Sequence, residues 1–261
     1  MKRIYGFLIL AMLVLCTVAF SSCGDDDEVS PNNENGEVTP EETDNTPDGV
    51  EAVDLGLPSG TLWATCNIGA SSPEEYGDYF AWGETVGYLG GKTDFSWSTY
   101  KWSDGDSDWL TKYCYDNYHG FKDNKRELDL EDDAAYVNRG KQWRMPSREQ
   151  FEELINSYYT TTEWTTRNGV SGLKITSKKN GKSIFMPAAG SRGCEWLVGA
   201  SVCCYWSLNV LSGWSVIYPF DPSRAWYLIK RYSTDSDGSF GTDYLYRYYG
   251  LSVRPVRLSQ N

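Results

Sequence analysis

The sequence predicts a single α+β domain, rich in loops, with two helices and short, mostly antiparallel strands. Three observations lead there. A run from Ser147 carries a helix-capping pattern followed by an apolar stripe. Beyond Gly172 the chain breaks into short β-branched and aromatic runs separated by Gly, Asn, Asp and Ser. Between residues 87 and 126 neither a helical nor a strand period is sustained. Segregated helices and strands, rather than alternating βα units, mark an α+β layer fold.

The elements follow in chain order. "EAVDLGLPSGTLWATCNIG" reads as strands over 52–55 and 61–67 around the turn "GLPSG". "SSPEEYGDYFAWGE" is a loop of turn formers and aromatics. A first helix is expected over "LEDDAAYVNRG": acids sit in its first turn and Gly140 closes it. A second is expected over "PSREQFEELINSYY". Ser147 and Gln150 fit a capping box, and Phe151, Leu154, Ile155 and Tyr158 form an i, i+3, i+4, i+7 stripe. The strands then expected are "GLKIT", "SIFMPAA", "CCYWSLN", "RAWYLIK" and "LSVRPVR". No internal repeat is present.

The N-terminus has a different character. Lys2 and Arg3 precede an apolar run from about Ile4 to Phe20, the pattern of a secretory signal over residues 1–22. The following "FSSC" resembles a bacterial lipobox, which makes Cys23 the expected lipidated residue and the membrane a partner through that lipid. The acids of "GDDDE" resemble sorting signals of surface lipoproteins in Bacteroidetes-type bacteria. That implies the outer membrane, with the periplasmic or the external face left open. Residues 24–50 carry ten acids, three prolines and no Lys or Arg. Such a segment cannot bury enough surface to fold, so 23–50 is expected to be an extended tether and 51–261 the domain.

Setting that tether and Lys2/Arg3 aside, the formal net charge of −12 falls to 22 bases against 26 acids. No basic stripe exists to neutralise phosphates, so nucleic acid is excluded as a partner.

The segments "VDLGLPSGTLWATCNIGASSPEEYGDYFAWGE", "DDAAYVNRGKQWRMPSREQFEELI", "FMPAAGSR", "YWSLN" and "GLSVRPVR" together resemble the Fibrobacter succinogenes major paralogous domain family. They span almost all of residues 51–258. The resemblance implies a C-type-lectin-like fold of the formylglycine-generating-enzyme type, in which the two ends of the domain meet in one sheet. The matched residues read as framework. Trp143 fills core space, Pro146 ends an extended stretch before the helix, and Arg254 bonds carbonyls left unpaired by irregular loops.

Chemistry is sparse. The single histidine, His119, lies in the loop "DNYHG" and is expected to be exposed. No HExxH, CxxC, phosphate loop or dinucleotide fingerprint occurs. Asp104, Asp106 and Asp108 alternate as in a calcium loop but lack its terminal Glu. No cofactor is therefore expected, calcium being the one candidate. With Cys16 cleaved off and Cys23 acylated, Cys66, Cys114, Cys194, Cys203 and Cys204 remain. Five is odd, so at least one thiol stays unpaired, and the pairing of the rest is open. On a strand, Cys203 and Cys204 face opposite sides, one inward and one outward.

Without catalytic residues, the expectation is a binding module and not an enzyme. After "YWS" the chain offers Tyr, Trp, Ser, Asn and Asp, the composition of adaptable recognition surfaces. The expected contact residues are Asn209, Trp214, Tyr218, Asp221, Trp226, Tyr227, Tyr232, Asp235 and Tyr244, facing a glycan or a protein. Some lectin-fold proteins of this kind are targets of diversity-generating retroelements, which the mixed composition before "GLSVRPVR" would suit. The alternatives are a structural or adhesin component of a surface assembly, and a carbohydrate-active enzyme using paired carboxylates.

Overall fold

The computed structural model describes residues 51–193, 196–198, 201–212, 221–232 and 240–258. All of them belong to one compact unit, Asp44–Asn261. Cys23 and the apolar N-terminal run lie outside the described residues, as do Cys194, Trp214, Tyr218 and Asp235.

The architecture is α+β, with four three-stranded antiparallel sheets and two short helices among the described residues. β1 (Ala52–Asp54) and β2 (Thr61–Ala64) form a hairpin, and β12 (Val256–Leu258) pairs with the other edge of β2. Trp63 sits between Val53 and Val256 with no solvent exposure. The two ends of the described chain thus meet in one sheet.

Residues 66–132 contain no strand, and side-chain-to-backbone bonds replace a ladder there. Tyr100 donates to the Trp82 carbonyl (2.7 Å), Trp82 to Ser207 (2.9 Å) and Trp102 to Gly83 (2.7 Å). Tyr100 and Trp82 bury their rings and Trp102 half-buries its own, and each satisfies a backbone carbonyl, of the loop or, at Ser207, of a strand, with its polar tip. This explains a stretch dense in Trp and Tyr that shows no period.

α1 (Ala134–Arg139) starts later than the sequence suggested. Leu130–Asp132 forms a 3-10 turn, and Asp133 is the N-cap rather than a first-turn acid. Its carboxylate accepts from Ala135 and Tyr136, and also from Met145 across the chain. Those three donors fix the helix start where it is. Burial nevertheless pushes the Asp133 pKa up.

α2 (Arg148–Leu154) has the predicted capping box: Gln150 N–H donates to Ser147 Oγ, and Ser147 N–H to Gln150 Oε1. Phe151 and Leu154 are buried as the stripe requires. Ile155, the C-cap, packs half-buried on the same cluster, and the stripe fails only at Tyr158, which is exposed and outside the helix. Asn156 Oδ1 accepts from the Tyr158 N–H, a local turn that competes with another helical turn.

β3 (Thr160–Arg167), β4 (Val170–Ser177) and β5 (Ser183–Pro187) form a meander. The β3–β4 turn is Asn168-Gly169, both at positive φ, the signature of a tight primed hairpin. β6 (Ser191–Gly193) lies between β7 (Trp196–Val198) and β11 (Gly250–Leu251).

The central sheet holds β8 (Val202–Val210), β9 (Arg224–Arg231) and β10 (Phe240–Tyr246), with β9 in the middle. Cys203 and Cys204 do face opposite sides, but neither side is solvent. Cys203 packs with Phe151, Met186 and Leu228, and Cys204 with Trp206, Tyr227 and Ile229. The sheet is covered on both faces, so the expectation of one outward thiol is corrected. Tyr205 and Trp206 are fully buried on either side of it.

Candidate functional site

The register of β9 and β10 builds the site. Tyr244 lies opposite Trp226, and Tyr246 opposite Arg224, so all four side chains leave one face of the sheet. At the other end of that face Leu228 is buried against Phe151 of α2. Where α2 stops covering it, the half-buried aromatic strip begins.

Both edges of the strip are fixed by charged groups. The Arg148 guanidinium lies 3.7 Å over the Trp226 ring and bonds Glu152 at 2.7 Å. Glu152 also accepts from the Thr242 hydroxyl of β10. Trp226 meets Tyr244 edge-on at 5.8 Å. Arg224 lies 4.2 Å over Tyr246 and bonds its hydroxyl, while Asp221 holds Arg224 from behind at 2.8 Å. Tyr246 stacks on Tyr248, and Trp97 packs edge-on against both.

Chemically, this is a set of rigid aromatic faces interleaved with two guanidiniums. Rings immobilised before a ligand arrives lose little entropy on binding, which is what makes Trp, Tyr and Arg effective anchors.

Of the expected contact residues, Trp226 and Tyr244 are brought together here, and Asp221 positions Arg224 beside them. Asn209 belongs to the framework. Its Oδ1 accepts from the Arg148 N–H (2.8 Å), and its Nδ2 reaches Glu127. Tyr232 is exposed but packs on Trp164 at the opposite end of β9. Tyr227 is a correction. It alternates to the other face and is buried against Trp206, so it cannot contact a ligand. Sequence reading missed Arg148, Arg224, Tyr246, Tyr248 and Trp97. The alternation Thr242, Tyr244, Tyr246 was the available signal for a strand with one aromatic face.

The remaining chemistry is framework. Cys66, Cys114, Cys203 and Cys204 are free thiols, all buried. Burial raises the pKa of Cys203 and pushes Cys204 up to about 12, so both stay protonated and unreactive near neutrality. His119 is half-buried rather than exposed, its Nδ1 3.0 Å from Asp116. The carboxylates of Asp104, Asp106 and Asp108 do not converge. Among the described residues, the acids that do are Asp129, Glu131 and Asp132. Lys112 Nζ lies 2.6 Å from both Asp129 and Asp132, with Lys101 and Lys125 close by, so ammonium groups already neutralise this cluster.

No protein-family model, curated protein or solved structure matches the chain. The function therefore rests on the geometry.

Proposed function

We propose that the chain is an exported lipoprotein, anchored through Cys23 at the outer membrane, whose lectin-like domain binds a glycan or protein ligand. One observation carries the binding reading: Trp226, Tyr244 and Tyr246 share a half-buried face between the Arg148 and Arg224 guanidiniums. Such a strip exceeds what packing needs, since the core of this sheet is already complete around Leu228 and Tyr227. The lectin-like reading is supported by the sheet shared by the two ends of the described residues and by the long strandless segment held on side-chain bonds.

The test is a binding screen of the full-length chain in mild detergent against glycan and protein arrays. A saturable ligand is expected, and Trp226→Ala combined with Tyr244→Ala should weaken it at least tenfold, about 1.4 kcal/mol or more. Absence of any saturable ligand, or a ligand indifferent to both substitutions, refutes the assignment.

A further inference from the structure

A second surface, sharing no residue with the β9–β10 strip, is more exposed and chemically different. Trp109, Tyr118 and Phe121 are 64%, 89% and 68% exposed. They line a cleft of about 520 Å³ together with Asp104, Asp108, Thr111 and Asn117. Its volume lies within the roughly 300–1,000 Å³ range of small-molecule sites.

The backbone beneath the cleft is tightly braced. Leu110 N–H donates to the His119 carbonyl and Phe121 N–H to the Leu110 carbonyl, both at 2.7 Å. Asp104 N–H donates to the Trp109 carbonyl at 2.8 Å. The Asp116 carboxylate accepts from the N–H groups of Tyr118 and His119, 2.9 Å each. Gly120 makes the close approach possible: it sits at φ +123, and a Cβ there would lie 2.2 Å from the Leu110 carbonyl oxygen. Leu110 is thereby pinned inward, 1% exposed, while its neighbour Trp109 is turned out.

Three large rings held outward on a braced frame carry a hydration cost that packing does not explain. Among the described residues, none of the three packs against another ring or under a cation. In the β9–β10 strip, by contrast, each ring already meets a guanidinium or another ring. The polar lining is selective: two carboxylates, an amide and the Thr111 and Tyr118 hydroxyls, with no Lys or Arg. Acceptors of that kind bind hydroxyl donors and repel anions. A neutral sugar ring offers both complements, an apolar C–H face for an aromatic ring and a rim of hydroxyls for carboxylate and amide.

We propose that the 104–121 loop cluster is a binding site for neutral oligosaccharides, with Trp109, Tyr118 and Phe121 as stacking platforms and Asp104, Asp108 and Asn117 as hydroxyl partners. The site stands independently of the β9–β10 strip.

The experiment titrates the full-length chain in mild detergent with neutral glucan, mannan, xylan and galactan pentasaccharides, with pentalysine as a cationic peptide arm. Binding is read by calorimetry. At least one pentasaccharide should saturate. Trp109→Ala and Phe121→Ala should each weaken it tenfold or more and Asp108→Asn at least threefold. Val137→Ala, an exposed residue on α1 outside the cleft, should leave it unchanged. Far-ultraviolet circular dichroism checks that each variant is folded. No saturation by any pentasaccharide, saturation by pentalysine alone, or binding that survives the Trp109→Ala/Phe121→Ala pair would overturn the proposal.

Discussion

Arg254 should be among the most costly single positions in the domain. Its guanidinium is fully buried and has no carboxylate partner among the described residues. It donates to four neutral oxygens: Asn67 Oδ1 (2.8 Å) and the carbonyls of Ala64 (3.0 Å), Thr65 (2.8 Å) and Phe185 (2.9 Å). These come from the end of β2, the loop after it and β5, so one side chain ties three segments together. Arg254→Met keeps much of the volume and strands four acceptors. Each costs about 1–3 kcal/mol when unpaired. Against that, the variant no longer buries a charge, which returns several kcal/mol. The net expected loss is about 3–5 kcal/mol: four unpaired acceptors at about 2 kcal/mol each, less the several kcal/mol regained by no longer burying the charge. Set against a typical total of about 5–15 kcal/mol, that removes between about a fifth and all of the stability. For a domain of this size the melting temperature should fall by roughly 6–20 °C. Arg254→Lys should rescue only partly, because one ammonium cannot reach four oxygens spread over a planar fork. Urea unfolding followed by tryptophan fluorescence measures this, with unchanged m-values as the check that only stability moved. A loss below about 1 kcal/mol for Arg254→Met would show that the desolvation of the charge outweighs its bonds, and the account of this residue would fail.

Other outcomes follow from the same structure. Cys203 and Cys204 should resist a thiol reagent at neutral pH in the folded chain and react fully in denaturant; rapid labelling of Cys204 without unfolding would refute the two-sided core. Hydrogen bonds from Lys112 and Lys125 hold the Asp129 carboxyl below its ordinary range. A depressed carboxylate stabilises above its unfolded pKa of about 3.9 and loses that stabilisation as pH falls through the folded value. The stability gap between wild type and Asp129→Asn should therefore be constant near neutrality and close below about pH 4; a gap that persists in acid contradicts the assignment. Cells grown with an alkyne-tagged fatty acid should label the wild-type chain and not Cys23→Ser, and equal labelling of both would remove the lipid anchor from the proposal.

How much of this was legible in the sequence depends on whether the cause is local. The capping box at Ser147 is written in four residues, and the helix forms there. Arg254 and Trp143 were expected as framework because they lie in the segments that carry the family resemblance, and both are fully buried. β3 was missed although its signal was present: a Thr-rich run ending in Asn-Gly is a hairpin pattern. The first helix began too early because Asp133 caps through Met145, a residue twelve positions away. Tyr227 was misplaced for a related reason. In "RAWYLIK" nearly every position is apolar, so alternation cannot say which face is core, and here both are. The arginine–aromatic strip depends on the β9–β10 register and on Arg148 arriving from α2, neither of which is a local property. The open cleft at 104–121 needed the Leu110–Gly120 approach to become visible.

The most direct test is hydroxyl-radical footprinting of the full-length chain with and without the ligand recovered from the array screen. The strip on β9 and β10 predicts that Trp226, Tyr244 and Tyr246 lose reactivity together on saturation, while exposed Tyr158 and Tyr232 do not change. Protection elsewhere, with those three unaffected, would contradict the central claim that this face does the binding.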